Sequence, residues 1–386
     1  MPDLPSGLVV FVIGATGVGK TKIALDLAAR LDGEIVGADS IQIYKGFDVA
    51  SAKPTREQMA SVPHHLVDSI GAAEEYNVSR YVREATGKIQ EIQARGRTPI
   101  VVGGGTVQYV TALLWPMSAV EHSDAVPSTR SSDQDTPSSV GSSDALYEEL
   151  RAVNPTAAAK LHPHDVRRIK RCLELGEVTV EMGALRYPRA RVIWLTCDDK
   201  DVYRKRVADR VDCMVADGLK EELTTLVVPG VKSGALGWNR GPLQGIGYKE
   251  FREWVENPTA ESWDRCIDRV KTGTVKYSRQ QVKWIRNKIE PHIEVCKVDT
   301  SDFEAASAAS WPGMLASAVE FVRREPRAVR EASKDEWKKY DCEICGKEGI
   351  NGPNEWEQHL GSKLHKSRKR KAKQAALQAE RSDSTT

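Results

Sequence analysis

Residues 14–21 of this 386-residue chain carry side chains whose types and spacing suit the binding of phosphate. Gly14, Gly19, Lys20 and Thr21 fit the pattern G-x-x-x-x-G-K-[ST], in which backbone N–H groups and the start of a helix converge on phosphate oxygens. Lys20 adds a full positive charge, and the Thr21 hydroxyl can ligate Mg²⁺. The predicted phosphate-binding residues are those of the whole loop: Gly14, Ala15, Thr16, Gly17, Val18, Gly19, Lys20 and Thr21. Taken alone, this loop would favour an ATPase or a kinase.

A second group of polar residues, Asp39, Ser40, Gln42 and Tyr44, follows a short distance after the loop. They stand where the second strand of an α/β sheet should end, at the carboxyl edge where such sheets bind ligands. A carboxylate there can act as a general base, and Ser and Gln side chains can read the hydrogen-bonding edge of a nucleobase. For this segment alone, a polar strand end with a capping Asp is an equally good interpretation.

Near the C-terminus, Cys342, Cys345, His359 and His365 have the types and spacing of a Cys2His2 zinc site. Trp356 and Leu360 are placed to form the small core that such a module needs. Residues 366–373, KSRKRKAK, then form a basic arm that could bind RNA phosphates or act as a nuclear import signal. The sequence therefore favours a structural Zn²⁺ ion over a chance cluster.

The elements that position these groups can be read from the apolar pattern. Apolar runs at 8–13, at 98–106 (TPIVVGGGT, which ends in the glycines at 103–105) and at 190–197 are typical of buried parallel strands. Helical patterns at 76–95 and 201–226 intervene, and Ile23, Leu27 and Leu31 recur at helical spacing after the glycine loop. Strands that alternate with helices predict an α/β fold, a P-loop NTPase-like parallel sheet with helices on both faces.

Composition divides the chain into segments. The predicted order is the first part of the α/β core (1–117), a disordered Ser-rich insertion (118–145), a helical insertion domain (146–190), the second part of the core with C-terminal helices (191–297), a linker with one helix around 314–324 (298–335), the zinc finger with its basic arm (336–373) and a disordered tail (374–386).

Bulk composition excludes several classes of protein. No run approaches the roughly 18–20 apolar residues of a membrane span, and the N-terminus has no basic segment of a signal peptide. The net charge of +2 averages over a strongly basic stretch, because residues 359–373 hold seven Lys or Arg and no acidic residue. Five of the seven cysteines are scattered singly, so disulfides are not expected. We expect an intracellular monomer with no membrane partner.

Eight short motifs occur in a fixed order: GATGVGKT (14–21), ADSIQIY (38–44), AKP (52–54), HHLVD (64–68), VGGGT (102–106), DVRRIKRCLEL (165–175), GIGYKEF (245–251) and KYSRQQVKWIR (276–286). The series resembles the tRNA dimethylallyltransferase family, also called tRNA isopentenyltransferases, from about residue 8 to residue 290. The finger segment WEQHLGSKLH is similar to the matrin type found in eukaryotic members. DSxQxY and HHLxD carry more of this resemblance than the phosphate loop does.

The resemblance implies a prenyl transfer. N6 of adenosine 37, next to the anticodon of tRNAs that read codons beginning with U, attacks the allylic carbon of dimethylallyl diphosphate and releases pyrophosphate. On this mapping Asp39 takes the N6 proton, Thr106 contacts the substrate, and Lys20, Thr21 and Mg²⁺ neutralise the leaving group, with Arg279 a candidate for the same role. The phosphate loop would then hold pyrophosphate instead of ATP.

The resemblance also implies a tRNA surface. The adenosine must flip out of the anticodon loop into a channel, which Asp39, Ser40, Ile41 and Gln42 would line. A helix of the insertion domain would face the anticodon-stem phosphates with Arg167, Arg168, Ile169, Lys170 and Arg171. As an alternative, such a charge run is often only a solvated helix face. His64 and His65 are interpreted as structural.

Two departures from the family pattern fall in the predicted site. GGTVQY stands at 104–109 in place of GGTGLY, and YSRQQ stands at 277–281 in place of YAKRQ, which removes one positive charge. Three other functions compete with the prenyl transfer: a small-molecule kinase, an adenylate isopentenyltransferase that makes a free cytokinin, and a non-catalytic RNA-binding protein. The expected location is the cytoplasm, with the nucleus and the mitochondrion as further possibilities.

Overall fold

The computed structural model describes residues 6–116, 143–175, 184–303, 311–327 and 339–370. The chain divides into two units, of which the first comprises Met1–Val126 and Val180–Arg330, and the second Pro127–Thr179 and Glu331–Thr386. The first unit contains the sheet, and the second contains the insertion helices and the finger.

The strands of the first unit form one parallel sheet of six, in the order β3-β2-β4-β1-β5-β6. They are β1 (Val9–Gly14), β2 (Gly33–Ala38), β3 (His64–His65), β4 (Thr98–Gly103), β5 (Ala190–Thr196) and β6 (Val295–Asp299). The second unit adds an antiparallel pair, β7 (Lys339–Cys342) and β8 (Lys347–Asn351).

Helices alternate with the strands as far as β4, and several helices in succession lie before β5 and before β6. The helices are α1 (Lys20–Leu31), α2 (Arg56–Ser61), α3 (Val78–Ala94), α4 (Val107–Leu114), α5 (Ser143–Val153), α6 (Pro155–Lys160), α7 (Val166–Leu175), α8 (Lys200–Ala216), α9 (Leu219–Glu222), α10 (Val228–Lys232), α11 (Arg252–Glu256), α12 (Ala260–Lys288), α13 (Trp311–Arg323) and α14 (Gly352–Gly361). Of these, α5, α6, α7 and α14 belong to the second unit.

Apolar side chains cover both faces of the sheet, as the continuous apolar runs predict. Phe11 and Ile13 point into one buried cluster, which includes the apolar faces of α3 and α4. Val10 and Val12 point into the other, which includes the apolar faces of α1 and α13. The predicted α/β fold with helices on both faces is confirmed, and the strands predicted at 8–13, 98–106 and 190–197 are β1, β4 and β5, of which β4 ends at Gly103, before the last two glycines.

Two predictions about the second half of the core are wrong in detail. The helical pattern at 201–226 is not one helix, because α8 ends before Gly218, which has a φ of +100°. α9 and a π-helical turn at Leu223–Val227 follow. The linker predicted from residue 298 begins inside β6, whose short, mixed sequence gave no strand signal. The helix predicted around 314–324 within that linker is α13.

The insertion helices α5, α6 and α7 enclose a small apolar core of their own, which contains Leu150, Leu161 and Ile169. α5 begins at Ser143, so the last three residues of the segment predicted to be disordered are helical. The rest of that prediction lies outside the described residues. No helix in the described part of the chain has the length and apolar character needed to cross a bilayer.

Candidate functional site

The phosphate loop connects β1 to α1, as the motif requires. Gly19 stands at the N-cap of α1 with a φ of +88° and provides no side-chain cap, so the first N–H groups of the helix remain open to a ligand. Lys20 folds across the loop, and its Nζ donates to the carbonyl oxygen of Ala15 over 2.7 Å. Ala15 and Val18 are buried against the core, so their contribution to a ligand is limited to their backbone.

Gln281 and Tyr203 fix the loop from two other helices. Gln281 on α12 accepts a hydrogen bond from the Thr16 N–H over 3.2 Å and donates its Nε2 to the Gly104 carbonyl. Tyr203 on α8 donates its hydroxyl to the Thr16 carbonyl over 2.8 Å. The loop is therefore held in shape without a ligand, which lowers the cost of binding one.

Asp39 follows β2 directly, and the run of glycines after β4 separates it from Lys20. The Asp39 Oδ1 accepts from the N–H groups of Ile41 (2.9 Å) and Gln42 (3.4 Å). A Cβ on Gly104 would overlap the Lys20 ammonium, and a Cβ on Gly105 would overlap the Asp39 carboxylate. Glycine is required at both positions because the two charged side chains lie across this backbone.

Thr106, which follows β4, is hydrogen-bonded to Ser40, which follows β2. Its hydroxyl accepts from the Ser40 N–H over 3.2 Å and donates to the Ser40 hydroxyl over 2.7 Å. Tyr277 on α12 donates its hydroxyl to the Gly105 carbonyl and closes the same corner. Thr106 thus lies beside Ser40, and Ser40 lines a cavity at this edge of the sheet.

A cavity of about 650 Å³ opens over the carboxyl edge of the sheet. Its wall includes the phosphate loop, the segment 39–42, Gly104 and Gly105, and parts of α8 and α12. Arg279 is exposed on α12 and is not among the residues that line this cavity. Arg210 on α8 does line it, and sequence reasoning missed this residue. The available signal was its position on the buried stripe formed by Val207, Val211 and Met214.

The electrostatics of the cavity favour an anion. The pKa of Lys20 is lowered to about 8, first by burial and then by the positive charge of Arg210, and Asp39 partly offsets both effects. Burial likewise lowers the pKa of Arg210, and no carboxylate among the described residues forms an ion pair with it. Two cations thus face one carboxylate, which suits a ligand that carries several negative charges.

The residues predicted to face the anticodon stem lie on α7, in the second unit. Lys170 is exposed there, whereas Ile169 is fully buried in the small apolar core. The Ile169 side chain therefore supports the helix from its buried face, and its predicted part in the tRNA surface stays a prediction. The predictions for the side chains of Arg167, Arg168 and Arg171 lie outside the described residues.

The four predicted zinc ligands come together in the finger, with their ligand atoms within 4.8 Å of one another. The Nδ1 of His365 lies 3.3 Å from the Nε2 of His359 and 3.5 Å from the Sγ of both Cys342 and Cys345. A tetrahedral Zn²⁺ with ordinary bond lengths would place two nitrogens about 3.4 Å apart and a nitrogen and a sulfur about 3.5 Å apart. The cluster is therefore compatible with a zinc site.

The core of the finger differs from the prediction. Trp356 stacks between Tyr340 and His359, with ring centroids at 5.2 Å and 5.7 Å. Leu360, however, is exposed, whereas Ile350 on β8 is buried.

Comparison with known proteins shows the family of this chain. The sequence model of the IPP transferase family matches residues 42–288. The chain belongs to the IPP transferase family. Within this family, a tRNA dimethylallyltransferase of Roseiflexus castenholzii is 38% identical over 299 residues, which cover 75% of this chain and 93% of that protein. The tRNA dimethylallyltransferase of Saccharomyces cerevisiae is 30% identical over 406 aligned positions, covering 95% and 93%.

Solved structures agree with this assignment. A crystal structure of a eukaryotic dimethylallyltransferase acting on tRNA superposes with a TM-score of 0.70 and 28% identity, over 97% of this chain and 99% of that one. The resemblance read from the eight motifs is confirmed, and so is the predicted kind of fold. The match to the IPP transferase family begins at residue 42. The assignment of the phosphate loop and Asp39 to the site is therefore supported by their geometry and by the full-length relatives.

Proposed function

We propose that the protein transfers a dimethylallyl group from dimethylallyl diphosphate to N6 of adenosine 37 in tRNAs that read codons beginning with U. The observation that carries the proposal is the approach of Asp39 and Lys20 across Gly104 and Gly105 at one wall of the cavity. Asp39, as a proton acceptor, and Lys20, as a ligand of the diphosphate, thereby border the same cavity. The names of the relatives supply the class of substrate.

The chemistry needs two bonds to form, N6–C1 and an O–H bond on the proton acceptor, and two to break, C1–O and N6–H. N6 of the adenosine bonds to the allylic C1 as the C1–O bond breaks, and the electron pair of that bond leaves on pyrophosphate. The N6 proton passes to the Asp39 carboxylate. Because an aryl amine is a weak nucleophile, stabilisation of the leaving group carries much of the rate, and we assign this stabilisation to Lys20, Arg210 and the loop N–H groups.

Mg²⁺ fits this site as a partner of the diphosphate. In such sites the ion is held by one or two protein oxygens together with phosphate oxygens, and Thr21 borders the cavity at the start of α1. When bound, the ion would neutralise part of the charge of the leaving group. The finger cluster, in turn, would hold Zn²⁺ in a structural role through Cys342, Cys345, His359 and His365.

The test uses purified protein, Mg²⁺, dimethylallyl diphosphate and a tRNA transcript with adenosine at position 37. We expect N6-isopentenyladenosine in the digested tRNA, and Asp39→Ala should lower kcat by at least about a hundredfold because it removes the proton acceptor. Binding of tRNA by this variant, measured by filter retention, should persist. Prenylation of free AMP without prenylation of tRNA, or phosphate transfer from ATP, would overturn the proposal.

A further inference from the structure

The side-chain amide of Gln42 is fixed by the backbone of a neighbouring turn. Its Nε2 donates to the carbonyl oxygens of Ser51 (3.0 Å) and Ala52 (3.1 Å). Two carbonyl acceptors can be satisfied only by the NH₂ end of an amide, so both amide hydrogens are used. Gln42 consequently offers the cavity one acceptor, Oε1, and no donor.

The turn at 48–52 is held in place by a buried carboxylate from a distant part of the chain. Glu222 is 7% exposed, and its Oε2 accepts from the backbone N–H groups of Asp48 and Val49, each over 2.7 Å. Its Oε1 accepts from the Ala50 N–H (3.2 Å) and from the Tyr248 hydroxyl (2.8 Å). All four partners are donors, and no Lys or Arg among the described residues pairs with this carboxylate.

Local geometry shows that the turn needs such an anchor. Ala52 has a φ of +46°, a left-handed conformation that costs a residue with a Cβ free energy and persists only where the surroundings enforce it. Glu222 is the last residue of α9 and immediately precedes the π-helical turn, a distortion that is frequent at functional sites.

The other end of the turn is secured by Lys53. Its Nζ donates to the Tyr44 carbonyl (2.5 Å), to Asp48 (2.5 Å) and to Asp68 (2.7 Å). These contacts join the motifs AKP and HHLVD, to which the transfer reaction gives no other role. The turn that orients Gln42 is thus fixed at its start by Glu222 and at its end by Lys53.

We propose that Glu222 is a positioning residue: by holding the turn at 48–52, it aims Gln42 Oε1 at an amino hydrogen of the base that enters the cavity. The inference rests on the proposed function, under which that base is the target adenosine. N6 carries two hydrogens, and one leaves to Asp39 while the other is held by Gln42. A base with a carbonyl oxygen at this position would be repelled.

A double-mutant cycle tests the inference. In Glu222→Gln, an NH₂ group replaces one acceptor and faces two donors, so the turn should shift and kcat/KM for tRNA should fall about tenfold. KM for dimethylallyl diphosphate should stay unchanged. In a Gln42→Ala background the same substitution should change kcat/KM for tRNA by less than about twofold, because residues that act through each other are not additive. Additive losses would overturn the inference, as would an equal rise of both KM values.

Two further variants protect the result against loss of folding. Tyr248→Phe removes one of the four donors and leaves the carboxylate, and it should lower kcat/KM for tRNA about threefold, again only when Gln42 is present. Glu34→Gln is a matched control, because Glu34 is equally buried and accepts from His65 and Arg95 at the start of β2. It should leave kcat/KM for tRNA unchanged. If the wild-type protein does not modify tRNA, the proposed function falls with the inference; an active wild type with additive losses refutes the positioning role alone.

Discussion

Lys20 and Arg210 bring two positive charges to one wall of a cavity that contains a single facing carboxylate. Only some of the residues of this cavity could be recognised from the sequence. Lys20 and Asp39 lie in two separate short motifs, and each motif has a spacing that its own loop requires. Arg210 is brought to the cavity by the packing of α8, and only its place on an apolar stripe hints at it. Residues that act through tertiary contacts are the ones that a sequence pattern conceals.

Lys20 gives the enzyme a pH dependence. With a pKa of about 8, mainly because of burial, Lys20 is protonated below that pH and loses its charge above it. Since the charged form binds diphosphate, KM for dimethylallyl diphosphate should rise by up to about tenfold per pH unit above pH 8. Steady-state kinetics from pH 6.5 to 9.5 measure this rise. Lys20→Arg should remove it and Lys22→Arg should retain it, whereas a flat wild-type profile would contradict the assignment.

Arg210 and Arg279 can be separated by matched substitutions. Arg210 borders the cavity, so Arg210→Gln should lower kcat by about a hundredfold through loss of charge stabilisation at the leaving group. Arg279 is exposed outside the cavity lining, so Arg279→Gln should change kcat by less than about threefold. Single-turnover rates at saturating substrates make the comparison. The reverse ranking would restore the role first assigned to Arg279.

At the scale of elements, the segments that carry strong patterns were predictable, and the ones that depend on their neighbours were not. β1, β4 and β5 are continuous apolar runs, so the residues themselves determine the strand. β6, with the sequence VCKVD, is a strand because it pairs with β5 at the edge of the sheet. The break after α8 depends on a single glycine conformation, which a helical pattern does not reveal. The sequence shows glycines at 104 and 105, but only the structure gives the reason: the side chains of Lys20 and Asp39 lie across this backbone.

The crossing of these side chains predicts the effect of a single methyl group. Gly105→Ala would press a Cβ onto the Asp39 carboxylate, and a shift of about 1 Å in a catalytic group can cost about a hundredfold in rate. Gly87→Ala is the control, since a Cβ at this position in α3 would meet no atom within 4 Å. It should leave kcat unchanged and raise the free energy of unfolding by about 0.5–1 kcal/mol. An active Gly105→Ala enzyme would show that the carboxylate can move without loss.

At the scale of the whole molecule, the residues that line the cavity all lie in the first unit, and the finger lies in the second. Under the proposed function, we therefore expect chemistry and RNA affinity to be separable. Removal of residues 336–386 should raise KM for tRNA about tenfold, because it deletes a basic segment that can bind phosphates, and should leave kcat nearly unchanged. The measurement is turnover at saturating tRNA, at two salt concentrations.

A full-length Cys345→Ser variant separates the metal from the basic arm. It removes one zinc ligand and keeps residues 366–373, so it should lose zinc, measured by atomic absorption, and retain part of the tRNA affinity. A complete loss of turnover at saturating tRNA in either variant would contradict the division between the two units.

The phosphate loop and Asp39 follow strands that are not neighbours, because β4 lies between β1 and β2. With adjacent strands about 4.8 Å apart, the two strand ends stand about 10 Å from each other. Backbone hydrogen bonds set that distance between the strand ends, and the side chains of Lys20 and Asp39 cover the rest. Under the proposed function, the sheet therefore sets the backbone spacing between the group that holds pyrophosphate and the group that accepts the proton. A donor with a longer prenyl chain must then find room beside this line, so we expect the cavity wall, and not the reacting groups, to set the chain length that is accepted.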